Sequence, residues 1–365
     1  MANQLNHYSL LHKVFTSHPK NKYLNRVALP ISKILCFTPI FILPFLTNKL
    51  NLLNRLTAYL NERLPILFDK WVSKKVKDED IVLVWAWAGL STIKAAKKRG
   101  KVAILEECGS CNRHQNEILA EEYDRLQLRF EKPNSKFIID RELKEAEMAD
   151  YILCPSEYVA KSFIKYGLNR DKIKVIPYGV NLEIFKPTPC IKSDFTIIFV
   201  GSIGVRKGLI YLFKALEILK FKYPINCLII GTVDSEFKEI FNLYKHLIYH
   251  IKSVNHKELI HYYNSASVFI LPSLDEGMAY VQLEAMACGL PVICTPNSGC
   301  ESIITNGIEG FIIPIKDSNE LVKNVEKLYL DKDLLNMMGK NAYLKAQSFS
   351  WNAYGKKLVD FLNRV

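Results

Sequence analysis

The chain has 365 residues, a length that accommodates two domains of ordinary size. Hydrophobic residues make up 49% and charged residues 24%, which is typical of a folded protein and excludes a disordered chain. Residues 1–190 hold 30 of the 49 Lys and Arg residues but only 20 of the 37 Asp and Glu residues. The net charge of +12 is therefore concentrated in the N-terminal half, which we expect to face any anionic partner.

Cysteine usage and apolar runs indicate the compartment. The nine cysteines are scattered and odd in number, which favours free thiols in a reducing compartment over a disulfide framework. The longest apolar run, Ile34 to Leu46, has 13 residues and contains two prolines, short of the roughly 18 residues that span a bilayer. The N-terminus also has no signal-peptide pattern. We therefore expect a cytoplasmic protein.

Short β-branched runs alternate with helical patterns from about residue 80 onward. In the first half, the predicted strands are 81–84, 102–105, 151–153 and 174–176, and the predicted helices are 93–98, 116–128, 140–148 and 157–166. After a proline-containing connection at 177–189, the predicted strands are 195–200, 227–230, 268–271 and 291–294, with a terminal amphipathic helix over 348–362. This alternation is typical of βαβ units and predicts two doubly wound α/β domains.

The most informative run extends from Ser273 to Ile293. It places Glu276 on a turn after a strand and Glu284 eight positions later in a helix. At 3.6 residues per turn, this spacing predicts that both carboxylates face one side, separated by about 12 Å along the axis. The N–H groups of residues 277–280 at the helix start suit a diphosphate. The spacing alone equally fits two glutamates on the solvated face of a helix.

The same run resembles a known family signature. The sequence Pro-Ser-x-x-Glu-Gly, followed by Glu-Ala-Met-Ala-Cys-Gly-Leu-Pro-Val-Ile, is similar to that of the retaining nucleotide-sugar glycosyltransferases with the GT-B fold, the group 1 family. Four flanking motifs follow the family's order: Val200–Gly208, Ile229–Gly231, Asn297–Glu301 and Asn306–Phe311. The segments 149–156 and 175–185 look like the family's last N-domain strands and hinge. The resemblance covers nearly all of residues 175–355 and is faint before residue 80.

The resemblance implies two Rossmann-like doubly wound domains that face a cleft, with a C-terminal helix returning toward the N-domain. The implied domains are an acceptor-binding domain over 1–188, a nucleotide-sugar-binding domain over 189–347 and the terminal helix over 348–365. The family's N-domain opens with a buried strand, whereas residues 4–10 of this chain look like its first helix and 11–16 like the next strand. We expect the start to lie about 15 to 20 residues upstream, or another segment to fill that place.

The family's site residues carry over onto this sequence one by one. The resemblance implies that Glu276 contacts the transferred sugar near its anomeric carbon and that Glu284 accepts the ribose hydroxyls. The residues expected to hold the donor diphosphate are Arg206, Lys207, Gly277, Met278 and Ala279. Fixed cations suit that role because the leaving diphosphate gains negative charge during transfer. Many relatives carry an arginine where this chain has Ser202, and Arg206 is a candidate substitute; Ala279 replaces the usual glycine.

His114 is a second catalytic candidate. It follows the strand 102–105 in a loop where the family keeps sugar-side polar groups, which suggests a hydrogen-bond donor to the sugar; a structural or solvated histidine is the alternative. Cys108 and Cys111 with His114 mimic metal spacing, but a structural zinc site needs four ligands. No Asp-x-Asp sequence follows a predicted strand. We therefore expect no cofactor and metal-independent transfer.

Residues 1–61 contain seven Lys or Arg residues and no Asp or Glu, interleaved with apolar runs. This pattern suits the surface of an anionic membrane, with a core segment and a solvated charged face as the alternative. No nucleic-acid-binding motif is present, so we expect no nucleic-acid partner.

The family resemblance therefore implies a retaining hexosyltransferase. Its expected donor is a nucleoside-diphosphate sugar, and its expected acceptor is a glycan or a lipid-linked molecule in polysaccharide or glycolipid synthesis. It is expected to be cytoplasmic, with peripheral contact to the inner face of the membrane. The alternative is a catalytically silent GT-B-like binding or scaffold protein, against which the intact set of Glu276, Glu284, Arg206 and Lys207 argues.

Overall fold

A computed structural model describes residues 1–17, 29–37, 54–77, 79–130, 134–189 and 194–365. Residues 18–28 and 38–53 of the basic N-terminal segment, with four of its seven Lys and Arg residues, therefore lie outside the described residues. The described chain forms two α/β domains with parallel sheets, which confirms the predicted fold class.

The N-domain is built on a four-stranded parallel sheet whose strands lie side by side in chain order. These strands are β3 (Ile81–Trp85), β4 (Val102–Glu106), β5 (Tyr151–Cys154) and β6 (Ile173–Val175). Its helices are α1 (Ala2–His7), α2 (Asn54–Ser73), α3 (Leu90–Lys98), α4 (Asn112–Arg125), α5 (Lys136–Met148) and α6 (Glu157–Ile164). Two short strands, β1 (Val14–Thr16) and β2 (Ile34–Cys36), pair in parallel as a separate sheet. The described part of residues 1–60 contributes no strand to the four-stranded sheet.

The C-domain has a six-stranded parallel sheet in the order β12-β11-β10-β7-β8-β9. The strands are β7 (Phe195–Val200), β8 (Ile225–Ile230), β9 (Tyr249–Ile251), β10 (Val268–Leu271), β11 (Val292–Cys294) and β12 (Gly310–Ile312). The helices are α7 (Leu209–Lys222), α8 (Lys238–Tyr244), α9 (Leu259–Ser265), α10 (Tyr280–Ala287), α11 (Ser318–Leu330) and α12 (Lys332–Ala346). Every residue of β10 and β11 is buried, as expected for central strands with helices on both faces.

The terminal helix α13 (Trp351–Leu362) returns to the N-domain, as predicted. Ser350 caps its start by accepting a hydrogen bond from the Ala353 N–H. The Phe361 ring meets Tyr151 of β5 edge to face, with 5.4 Å between ring centroids. No helix among the described segments is both long enough and apolar enough to cross a bilayer.

Two element boundaries differ from the prediction and change the setting of predicted site residues. Helix α4 begins at Asn112 instead of residue 116, because the buried Glu142 carboxylate accepts hydrogen bonds from the backbone N–H and side-chain amide of Asn112, at 2.8 and 2.7 Å. His114 therefore lies in the first turn of a helix and not in a loop. Helix α10 begins at Tyr280, so Glu276 precedes it and the helical spacing between Glu276 and Glu284 does not apply.

Candidate active site

Sheet order brings the predicted donor-binding loops together. Strands β7 and β10 are parallel neighbours, with Val268 paired to Ile197, so the loops at their carboxyl ends lie side by side. The Leu274 N–H donates to the Arg206 carbonyl oxygen at 2.9 Å and ties the two loops. Gly208 ends the first loop with φ +67°, and a Cβ there would lie 2.0 Å from the Pro272 carbonyl oxygen. Only glycine fits this close approach.

These loops join three of the predicted residues into one charged cluster. One carboxylate oxygen of Glu276 accepts a hydrogen bond from the Arg206 guanidinium at 2.9 Å and a second one from the Lys207 ammonium. Lys207 is buried, with 8% of its surface exposed, whereas the Arg206 side chain is 37% exposed. The two cations therefore share one anionic oxygen through charge-assisted hydrogen bonds.

Burial and charge oppose each other in this cluster. Burial alone raises the pKa of Glu276, but the positive charges of Lys207 and Arg206 outweigh it and bring the pKa below the ordinary value of 4.5. Burial lowers the pKa of Lys207, and the Glu276 charge only partly offsets that effect. The carboxylate is therefore ionised at neutral pH because its cationic partners are fixed beside it.

The start of α10 borders the same cluster. Ala279 is the N-cap residue, and in the described structure no side chain caps this helix end. Gly277 lies just before it, against the N-domain: its carbonyl oxygen accepts a hydrogen bond from the Ser156 hydroxyl at 2.6 Å. A Cβ at Gly277 would lie 1.8 Å from the Cys108 carbonyl oxygen. The backbone at Gly277, just before α10, therefore lies at the interface between the two domains.

Glu284 lies apart from this cluster in its contacts. Its carboxylate accepts a hydrogen bond from the Tyr263 hydroxyl at 3.1 Å and lies 2.7 Å from the His256 Nε2 atom. Burial and the Glu284 charge raise the pKa of Tyr263, so this hydroxyl keeps its proton and donates. The His256 side chain is 62% exposed, which leaves the outer side of Glu284 covered by a group that can move into solvent.

The structure does not place His114 in the Glu276 cluster. Its Nδ1 atom lies 3.3 Å from the Lys165 ammonium, and its ring lies beside Tyr158 and Tyr166. Burial lowers its pKa, and the Lys165 charge adds to that effect. His114 is therefore a largely neutral ring on the N-domain side at neutral pH.

Sequence reasoning missed Asp275, the residue before Glu276. Its carboxylate is 1% exposed and accepts hydrogen bonds from three N-domain side chains. These are the Ser110 hydroxyl, the Tyr158 hydroxyl at 2.7 Å and the Gln115 amide at 2.6 Å. Its position within the family motif was a signal, but nothing in the local sequence indicates these partners.

Glu106, at the carboxyl end of β4, is a second buried acid that the sequence reasoning did not single out. It is 3% exposed, and its Oε2 atom has no hydrogen-bond partner within the described structure. Burial raises its pKa to about 7, against the opposing charge of the Met1 amino group. Its charge acts on the hydroxyls of Tyr178, Tyr280 and Tyr354, which line the junction between the domains.

The raised pKa of Glu106 predicts how stability depends on pH. Below pH 4.5 the carboxyl is protonated in both the folded and the unfolded chain, so it does not change the free energy of unfolding. Between pH 4.5 and about 7 it ionises more readily in the unfolded chain, and the free energy of unfolding falls as the pH rises. Glu106→Gln removes this loss and is expected to raise the free energy of unfolding by about 3 kcal/mol at pH 8, but little at pH 4.5, as urea titrations at both pH values would measure.

A glutamate with the opposite shift serves as the control for Glu106→Gln. The hydrogen bond from Tyr166 lowers the pKa of the exposed Glu117, so Glu117→Gln is expected to lose a little stability at pH 8. A Glu106→Gln variant that is equally stabilised at both pH values, or destabilised at pH 8, would contradict the assignment.

Two family profiles match consecutive parts of the chain. Residues 52–184 match the family described as Glycosyltransferase Family 4, and residues 181–345 match Glycosyl transferases group 1. The D-inositol 3-phosphate glycosyltransferase of Arthrobacter sp. (strain FB24) is 30% identical over 240 residues, which are 60% of this chain and 57% of that protein. The capsular polysaccharide biosynthesis glycosyltransferase CapM of Staphylococcus aureus is 30% identical over 231 residues, 58% of this chain and 61% of that protein. The chain thus matches little more than half the length of these curated relatives.

Solved structures share the fold at lower identity. A glycosyltransferase from Rickettsia africae ESF-5 superposes with a TM-score of 0.68 at 19% identity, covering 99% of this chain and 91% of that one. Anabaena Alr3699/HepE in complex with UDP-glucose gives a TM-score of 0.65 at 17% identity, covering 82% of each chain. These likenesses confirm the two-domain GT-B fold. Glycosyltransferase profiles together extend from residue 52 to residue 345, and with the named relatives and the shared fold they support a group 1 glycosyltransferase.

Proposed function

We propose that this protein is a retaining glycosyltransferase that moves a hexose from a nucleoside-diphosphate sugar to a glycan or lipid-linked acceptor in polysaccharide or glycolipid synthesis. The observation that carries the proposal is the pairing of Arg206 and Lys207 with Glu276 beside the start of α10. Two fixed cations and a helix N-terminus at one point suit a diphosphate leaving group. The carboxylate beside them suits the positive charge that develops at the anomeric carbon.

The donor and the class of acceptor are inferred from relatives. Structures of Anabaena Alr3699/HepE are described with UDP and with UDP-glucose, and CapM is named for capsular polysaccharide biosynthesis. We infer that UDP-hexoses are the first donors to test. Arg206 and Lys207 pair with Glu276 beside the start of α10, and two cations there would suit a leaving diphosphate, so we propose that transfer needs no metal ion.

Nucleotide binding and turnover test the proposal in two steps. Thermal unfolding in the presence of UDP, GDP, ADP and their hexose conjugates is expected to show stabilisation by one base, because a ligand of the folded state raises its melting temperature. With that donor, proton NMR is expected to show the α-anomer of the product from an α-linked donor. Absence of stabilisation by every nucleotide would overturn the proposal. Binding without any sugar release would favour the silent scaffold.

We also propose peripheral binding to an anionic membrane through residues 1–61. Within the described part of this segment, Tyr8 and Leu10 are exposed by 38% and 47%, and the segment carries seven basic residues and no acidic ones. Each Lys or Arg near an anionic surface contributes about 1 kcal/mol.

Vesicle flotation tests the membrane proposal. The protein is expected to float with phosphatidylglycerol-containing vesicles and not with phosphatidylcholine vesicles, and to be released at high salt because salt screens surface charge. Equal flotation with both kinds of vesicle would contradict the proposed binding to an anionic membrane.

A further inference from the structure

The Asp275 carboxylate receives its hydrogen bonds from the other domain. Ser110 and Tyr158 donate to Oδ1 and Gln115 donates to Oδ2, and these donors belong to the loop after β4, to α6 and to α4. A carboxylate that is 1% exposed has lost its water and needs such donors. In the described chain, Asp275 is therefore satisfied by side chains only while the two domains lie together.

The same residue is joined to the transfer site through its backbone. The Asp275 carbonyl oxygen accepts a hydrogen bond from Arg206 at 3.1 Å, and the following residue, Glu276, pairs with Arg206 and Lys207. The next residue, Gly277, is held by the Ser156 hydroxyl. Residues 275–277 are thus fixed from the N-domain at both ends, with Glu276 between the two anchors.

Other polar contacts between the domains lie away from residues 275–277, among them the buried hydrogen bond from the Tyr211 hydroxyl to the Glu122 carboxylate at 2.9 Å. Two further contacts are less protected. Tyr123 donates to Glu236 at 2.9 Å, and Lys161 pairs with Glu301 at 2.8 Å; both contacts are exposed to solvent. Water can replace such contacts when the domains separate, so they contribute little. Within the described structure, their residues also form no hydrogen bond or ion pair with residues 275–277. Closure of the two domains therefore affects the position of Glu276 through the contacts of the adjacent Asp275, and not through these pairs.

We propose that Asp275 is a positioning residue that couples closure of the two domains to the placement of Glu276 and Arg206. Separation of the domains breaks the three side-chain hydrogen bonds of Asp275. The carboxylate then turns toward water, and the backbone of residues 275–277 moves with it. The charged cluster is then correctly placed only in the closed arrangement. The activity part of this inference rests on the proposed transferase function.

Tyr158 is the donor best suited to a test, because Tyr158→Phe removes one hydroxyl and keeps the ring. Burial and the Asp275 charge raise the pKa of Tyr158, so the hydroxyl is a donor throughout the working pH range. Tyr123→Phe is the matched control, since it also removes one tyrosine hydroxyl that donates to a carboxylate of the C-domain. Asp275→Asn is a second variant at the acceptor, of nearly the same size.

Tyr158→Phe is expected to lower kcat about tenfold, the loss of one hydrogen bond to a charged group, with the Kd for nucleoside diphosphate within about twofold of wild type. Tyr123→Phe is expected to leave kcat within about twofold. Asp275→Asn is expected to lower kcat further, since its amide N–H atoms face donors. Small-angle scattering of the ligand-free protein should show a larger radius of gyration for Tyr158→Phe and Asp275→Asn only.

The outcomes separate this inference from the proposed function. Equal losses in the two tyrosine variants, or a lower melting temperature with unchanged kcat, would show that Tyr158 and Asp275 merely stabilise the interface and would overturn the inference. If the wild-type protein transfers no sugar, the proposed function fails, and the scattering comparison still decides whether Asp275 holds the domains closed. Unchanged radii of gyration in both Tyr158→Phe and Asp275→Asn would refute it.

Discussion

Changing Glu276 to Gln is expected to lower sugar transfer at least about a thousandfold, while the affinity for nucleoside diphosphate stays close to that of the wild type. Glutamine keeps the shape of the side chain but has no charge to stabilise the developing cation at the anomeric carbon. In the proposed function the diphosphate binds to Arg206 and Lys207, and these cations lose only the anion with which they pair in the free protein. Calorimetry with the nucleoside diphosphate and a transfer assay measure the two effects separately.

Glu284 provides the contrasting variant for this experiment. If its carboxylate accepts the ribose hydroxyls, Glu284→Ala loses charge-assisted hydrogen bonds of about 1.5–3 kcal/mol, so nucleotide affinity is expected to fall about ten- to a hundredfold. Because Tyr263 is buried and donates to Glu284, the alanine variant also leaves that hydroxyl without an acceptor. Glu284→Gln keeps an acceptor oxygen and controls for this. Equal losses of nucleotide affinity in the Glu276 and Glu284 variants would contradict the assigned roles.

The members of the charged cluster could be named from the sequence because each lies in a local motif of the family that the chain resembles, but their pairing was not predicted. Glu276 and Gly277 lie in one continuous run, and Arg206 and Lys207 lie in the loop after the apolar strand β7. In a parallel sheet, the carboxyl ends of neighbouring strands share one edge, so two such loops can be expected to meet. The pairing of β7 with β10 then brings them into contact.

The contacts between the domains could not be predicted in the same way. Asp275 lies 165 residues from Ser110, 160 from Gln115 and 117 from Tyr158. No local pattern of hydrophobic or turn residues encodes a hydrogen bond over such separations, which depends on how two complete domains pack.

The start of α4, the helix that contains His114, was predicted wrongly for a related reason. A helix start is recognised in sequence by a capping side chain, but the residue before α4 is Cys111, which provides no capping hydrogen bond. Glu142, 30 residues away, supplies the acceptor instead. The strand β9 was missed because its three residues are largely exposed and give no apolar run.

Replacing Arg206 and Lys207 together by Ala is expected to slow transfer by about two to four orders of magnitude, because two charge-assisted contacts of about 1.5–3 kcal/mol each are lost from the transition state. The double variant should also change the pH profile. Burial raises the pKa of Glu276, and the two cations are what bring it below 4.5. Without them the pKa is expected to lie above 4.5, so residual activity should fall at a higher pH than in the wild type as the solution is acidified.

The control for the double variant removes the same charge elsewhere in the C-domain. Lys238 and Lys245 are both exposed, and their double replacement by Ala is expected to leave transfer unchanged. Fixed cations beside the diphosphate would make a divalent ion dispensable, so wild-type transfer is expected to persist in EDTA. Complete inhibition by EDTA that magnesium restores would overturn the metal-free mechanism. Among the described residues, Arg206 and Lys207 are the cations that pair with Glu276. Loss of transfer in the Lys238 and Lys245 variant would therefore show that overall charge, and not the position of Arg206 and Lys207, governs the reaction.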